Sequence, residues 1–174
     1  DPRIIPEVDR VFKERSIGLD EPFLSKYINI KSSIDDPNFM KELQKFSPSS
    51  HALTRNTCSL TRMEGSNKIN VVPPRSWAEI DCRILPDNDP EEFIVQIEKL
   101  IEDTGVTVEP LMLGFPGSSP TNSELYLAIE DFIDTNYPGS KLSPSVSTGF
   151  TDSRFSRGIG IASYGFSTYI YEGN

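Results

Sequence analysis

Histidine is nearly missing from this chain, and cysteine is scarce: one His, His51, and two Cys, Cys58 and Cys82, in 174 residues. A zinc site takes three or four ligands, so one histidine with scattered carboxylates does not make one. His51 precedes "ALTRNTCSL" without ligand spacing around it and reads as a surface or helix-exit residue. The cysteines lie in strand-like runs with no C-x-x-C spacing, which argues against a metal knuckle or a disulfide framework and for small, buried, free thiols. Positive charge is also short. Seventeen Lys and Arg face twenty-six Asp and Glu, a net charge of −9, which opposes attraction to nucleic acid and to anionic membranes. No apolar run reaches the roughly 20 residues that cross a bilayer, and "DPRIIPEVDR" lacks the layout of a signal peptide. The chain is expected to be soluble, with the cytoplasm favoured and the compartment otherwise open. Internal repeats and low-complexity tracts are absent as well.

What is present suits a folded domain: 36% apolar and 10% aromatic residues, enough for one substantial core or two small ones. In "DPRIIPEVDRVFKER", Ile4, Val8, Val11 and Phe12 recur at helical spacing, and the helix is expected to end near Gly18. "DDPNFMKELQKF" offers Asp36 as a cap, Pro37 at the first helical position, and Phe39, Met40, Leu43 and Phe46 on one side. Between 52 and 85 the period changes to that of strands. It is clearest in "SWAEIDCRIL", where Ala78, Ile80, Cys82 and Ile84 alternate with Glu79, Asp81 and Arg83.

A third helix is expected in "DPEEFIVQIEKLIEDTG". Asp89 and Glu92 stand in capping-box spacing, Phe93, Ile97, Leu100 and Ile101 form a stripe, and Gly105 closes it. "VTVEPLML" reads as a strand, and "GFPGSSP" at 114–120 as a connection and domain boundary. "TNSELYLAIEDFIDTNYPG" follows as a helix, with Thr121 and Glu124 as its capping box; the turn-rich 148–160 segment and a last strand, "GIASYGF", complete the chain. The order suits an α+β fold, an antiparallel sheet with helices on one face, whose exposed edge would pair with a second copy or another domain.

Two motifs carry a resemblance. "NVVP", beginning at Asn70, is followed by Arg83 and "ILPD"; further on comes "TGFTDSRFSRGIGIASYGF", with Thr151, Asp152 and Arg154. In that order, over residues 52–166, the chain resembles the di-zinc metallopeptidases that include aminoacylases, glutamate carboxypeptidases, acetylornithine deacetylase and succinyl-diaminopimelate desuccinylase. The resemblance implies a ferredoxin-like lid or dimerisation domain over 1–113, lacking its first strand, and a returning α/β segment of the catalytic domain over 114–174. It also implies two zinc ions, held by ligands outside this chain, and a homodimer formed through the lid. The substrate would be a small peptide or an N-acyl amino acid, hydrolysed at an amide or peptide bond next to a carboxylate. On this reading the chain is an interior fragment, inactive alone, with no catalytic or metal-binding residue of its own.

By the same resemblance Arg154 anchors the substrate carboxylate beside Thr151 and Asp152, while Asn70 and Arg83 approach from the lid. Arginine suits the task because its planar fork binds carboxylate bidentately and keeps its charge. The residues also admit plainer roles. Asn70 stands where "GSNKIN" looks like a hairpin loop, Arg83 is one of the outward charges of a strand, and Asp152 could cap a short helix with Arg154 paired nearby. Arg157 reads as a solvated charge, the carboxylates near 35 and 89–92 as helix starts, and Trp77, Tyr126, Tyr164 and Phe166 as core or interface aromatics. A rival reading is a non-enzymatic α+β module that dimerises by edge pairing.

Overall fold

The computed structural model describes residues 1–140, 142–149 and 151–166. Five helices come first: α1 (Pro6–Arg15), α2 (Phe23–Ile28), α3 (Ile30–Ser33), α4 (Pro37–Phe46) and α5 (Pro48–Ala52). Strands β1 (Thr57–Glu64) and β2 (Trp77–Arg83) follow, then α6 (Pro90–Leu100), a short 3-10 turn (Glu102–Thr104), α7 (Glu124–Asn136) and α8 (Ser153–Gly158). The α+β composition and the antiparallel sheet expected from the sequence are both present.

The main buried cluster lies among the helices. Val8, Val11 and Phe12 of α1 meet Tyr27, Ile30, Phe39, Met40, Leu43 and Leu53, and Val146 packs against them from far along the chain. Phe12 and Tyr27 meet edge to face at 4.9 Å, the geometry that places a ring's positive edge on its neighbour's negative face. Phe46 is half exposed yet stacks on Phe23 at 4.1 Å. α4 begins as its sequence requires: the Asp36 side chain accepts from the Asn38 amide at 2.9 Å, and Pro37 occupies the first turn, where no amide donor is needed.

β1 and β2 pair antiparallel, with Cys58 opposite Cys82, Leu60 opposite Ile80 and Arg62 opposite Glu79. The ladder is irregular between Leu60 and Arg62, and the Thr61 hydroxyl donates to the Glu79 carbonyl across that break. Beyond the break Arg62 lies over the Trp77 ring at 4.7 Å. Asn56 closes the open end of the hairpin: its side chain accepts from the Leu85 amide and donates to Asn88, both at 2.9 Å.

Several expectations are corrected. Residues 106–113 and 160–166 form no strand, because neither segment has a ladder partner among the described residues, and strand-like composition does not supply one. The Val71–Val72–Pro73 stretch lies in the β1–β2 connection rather than in a strand. α6 has the expected cap, Asp89 accepting from the Glu91 and Glu92 amides, and the expected left-handed Gly105 at φ 72°, but none of its side chains is fully buried. The α7 cap is Ser123, whose hydroxyl accepts from the Tyr126 amide at 3.1 Å, and not Thr121. Finally, the two cysteines are free as expected but not buried: Cys58 is exposed and Cys82 half-buried.

Candidate functional site

The five candidate residues occupy two places in the fold. Asn70 is exposed in the connection that follows β1, and Arg83 ends β2. Asn70 stands seven residues ahead of Trp77, where β2 begins, so the two residues belong to different parts of the hairpin. Arg83 is engaged locally: Nε and Nη2 donate to one oxygen of Asp81, at 2.9 and 2.7 Å. Asp81 and Arg83 are two apart on one strand, so their side chains leave the same face of the sheet. That pairing fits the outward-charge role, and it fixes the direction of the guanidinium.

Thr151, Asp152 and Arg154 are held together by the start of α8. The Arg154 amide donates to the Thr151 carbonyl at 3.2 Å, and the Phe155 amide to the Asp152 carbonyl at 3.0 Å. Asp152 occupies the N-cap position, but its backbone is already helical (φ −64°, ψ −14°) and its side chain makes no cap hydrogen bond. The carboxylate is therefore not committed to the helix. α8 stops at a tight turn whose Gly160 takes φ 82°, a conformation that a side chain would strain.

Arg154 is half-buried. Its guanidinium carbon lies 4.6 Å from the centre of the Phe155 ring, and its Nη1 would be 3.7 Å from a Cβ placed on Gly114. The ring and the bare backbone at 114 thus border one cationic group and withdraw part of it from water, which strengthens its attraction for an anion. Arg157 is half-buried too and donates to the Ser163 carbonyl at 3.2 Å, which corrects its reading as a solvated charge. Ser163 is in turn locked by Ser119: each donates to the other, both at 2.9 Å, so the segment after α8 folds over Arg157. Tyr164 reaches the carbonyl of Pro120 and the hydroxyl of Ser123 at the start of α7, and its ring meets the buried Tyr126 at 5.6 Å. These contacts join 119–126 to 163–164 around the α8 segment, a closure that local sequence patterns do not signal.

No group of three or more His, Cys, Asp or Glu side chains capable of holding a metal gathers among the described residues. His51 is half-buried in α5, and burial together with the nearby Arg55 charge lowers its pKa. One local relationship is not legible in the sequence, the direct opposition of Cys58 and Cys82. The connection between their strands, 65–76, is too long for turn type to dictate the register, so spacing could not reveal it.

Comparison with known proteins supplies a lineage. Residues 24–109 match the family described as a peptidase dimerisation domain of the M20 group. Mouse aminoacylase-1 is 31% identical over 140 residues, 73% of this chain and 32% of that protein. The N-fatty-acyl-amino acid synthase/hydrolase PM20D1 of Xenopus tropicalis is 29% identical over 133 residues, 75% of this chain and 26% of that protein. The crystal structure of the M20 family metallo-carboxypeptidase Sso-CP2 from Sulfolobus solfataricus shares the fold with a TM-score of 0.57 at 22% identity, over 93% of this chain and 37% of that one. The chain thus spans about a quarter to a third of the length of these curated relatives.

Proposed function

Given that residues 24–109 belong to the M20 peptidase dimerisation family, we propose that this chain is the substrate-positioning and dimerising portion of a zinc-dependent amidohydrolase or peptidase. On this reading residues 1–113 are the lid, and 114–174 return to the catalytic domain. The substrate is a small peptide or N-acyl amino acid, cut at the amide next to its carboxylate.

The observation that carries the reading is the Arg154 environment. A carboxylate anchor needs a fixed cation partly shielded from water, with its fork kept in one plane. Phe155 and the bare Gly114 backbone border such a group, and Asp152, next to Thr151 at the start of α8, makes no cap hydrogen bond with its side chain. Asn70 and Arg83 act from the lid. Set in different parts of the hairpin, they meet one small substrate where two lids approach each other, or else they touch different parts of it. A dimer would supply the first arrangement, and among the described residues the two-stranded sheet leaves an outer edge on each strand for it.

The described residues do not fit a zinc centre, since no three metal-ligating side chains converge. Zinc, two ions by the resemblance, would be held by residues outside this chain, where it supplies the polarisation of the scissile carbonyl. The chain alone is therefore inactive on this reading. The decisive experiment assays the full-length protein on an N-acyl amino acid and on the same compound with its carboxylate converted to an amide. Cleavage of the acid in strong preference to the amide supports the reading. Absence of hydrolysis in the metal-loaded dimer would instead favour an interaction module that shares the fold.

A further inference from the structure

The Cys58–Cys82 pair lies outside the substrate-positioning role and rests on a different observation. The two residues are direct partners in the antiparallel ladder. Opposed residues in such a ladder have Cα atoms about 4.5 to 5.5 Å apart, inside the range of roughly 4.4 to 6.8 Å that a disulfide spans. Residues opposite each other also project to the same face of the sheet, so the sulfurs share one side. Cys58 is exposed, Cys82 is half-buried, and both are free thiols.

We propose that Cys58 and Cys82 are a dithiol modification site that closes into a cross-strand disulfide by exchange with a low-molecular-weight disulfide of the glutathione class. Their environments assign the order of events. Burial, and after it the neighbouring Cys58 thiol and the charge of Asp81, push the Cys82 thiol up to about 12, so it stays protonated while the exposed Cys58 reacts first. Cys58 loses its proton to water, and its thiolate attacks one sulfur of glutathione disulfide. The S–S bond of the reagent breaks, a Cys58–glutathione bond forms, and one glutathione thiolate leaves. The Cys58 sulfur, now bonded in the mixed disulfide, carries no charge and no longer opposes ionisation of Cys82 as its thiolate did. Cys82 then gives its proton to water and attacks the Cys58 sulfur, forming the Cys58–Cys82 bond and releasing the second glutathione. Two electrons pass from the protein thiols to the reagent.

The bond would tie the ladder one residue from Arg83, whose own partner across the ladder is Thr57. The oxidised chain is therefore fastened at the open end of the hairpin, whatever Arg83 binds.

The test equilibrates the full-length protein in mixtures of reduced glutathione and glutathione disulfide, alkylates the remaining thiols, and maps unreduced peptides by mass spectrometry. The expected result is a cross-link between the Cys58 and Cys82 peptides that grows as the mixture becomes more oxidising and disappears with dithiothreitol. Cys82→Ser should leave Cys58 carrying one glutathione, and Cys58→Ser should leave Cys82 open to the final alkylation without glutathione. Full alkylation of both cysteines across the whole series overturns the proposal. So does a separate glutathione on each without a cross-link. Both decisive readings come from the unsubstituted protein, so a variant that fails to fold cannot obscure them.

Discussion

Arg3 forks onto Asp87, Nε to Oδ2 at 3.2 Å and Nη2 to Oδ1 at 2.9 Å. The backbone of the same Arg3 donates to the Thr54 carbonyl at 2.7 Å. One residue thus pins the segment before α1 to both sides of the hairpin's open end. The Arg3 hydrogen bond holds the Asp87 carboxyl below the usual aspartate range. A carboxyl with a lowered folded-state pKa stabilises the fold above its unfolded pKa and loses that contribution as pH falls through the folded one.

Asp87→Asn should accordingly cost under about 1 kcal/mol near neutrality, because both side chains are close to half exposed and water screens them. The difference from the unsubstituted protein should shrink as the pH drops below about 4. Urea midpoints across that range check it. A gap that does not change with pH would mean that Asn disturbs packing rather than removing a charge contact.

Leu43→Ala should be far more costly, about 2 to 5 kcal/mol, since Leu43 is fully buried amid Phe12, Tyr27, Ile30 and Phe39. Denaturant unfolding of the full-length protein measures it. A cost near zero would remove the helical cluster from the list of structures that hold the chain together.

Ser123 rather than Thr121 caps α7, so Ser123→Ala should destabilise by roughly 1 kcal/mol and Thr121→Ala by much less. Thermal unfolding of the two variants separates them. Equal effects would restore the capping box suggested by the sequence.

The sequence exposed those parts of the fold in which one period runs for several turns. α1, α4, α6 and α7 are legible because caps, prolines and apolar spacing agree over ten or more residues. α2, α3 and α5 span four to six residues, too few for a helical period to be distinguished from chance. The strand-like composition of 106–113 misled for a different reason: a strand is defined by a partner, and composition does not name one. Among candidate site residues, sequence order placed Thr151, Asp152 and Arg154 together, because they share a turn. The approach of Gly114 to Arg154 and of Ser163 to Arg157 depends on chain reversal and was not legible. Nor was the opposition of the two cysteines, which is a matter of register.

A preparation of these 174 residues alone should hold zinc weakly and hydrolyse neither peptides nor N-acyl amino acids. Elemental analysis after gel filtration, with an assay on the same sample, provides the check. Stoichiometric, tightly held zinc would show that metal ligands exist within the chain, and the fragment reading would have to be abandoned.

Arg154 offers the sharpest test of the functional reading. If its guanidinium anchors a carboxylate, Arg154→Ala in the full-length protein should cost about 2 to 5 kcal/mol of transition-state stabilisation, the range for removing one partner of a desolvated charge pair. Arg154→Lys should restore little, since the ammonium keeps the charge but loses the planar fork, and with it the stacking on Phe155 seen at 4.6 Å. A guanidinium that serves only the local structure makes a different prediction. Lys would then be tolerated, both variants would lower the melting temperature, and the acid and amide forms of a substrate would be slowed equally. Comparing the two substrates in the unsubstituted protein and in each variant therefore isolates the carboxylate contact. Loss confined to the acid, at unchanged melting temperature, assigns Arg154 to the substrate; equal loss on both assigns it to the packing of α8 against Gly114.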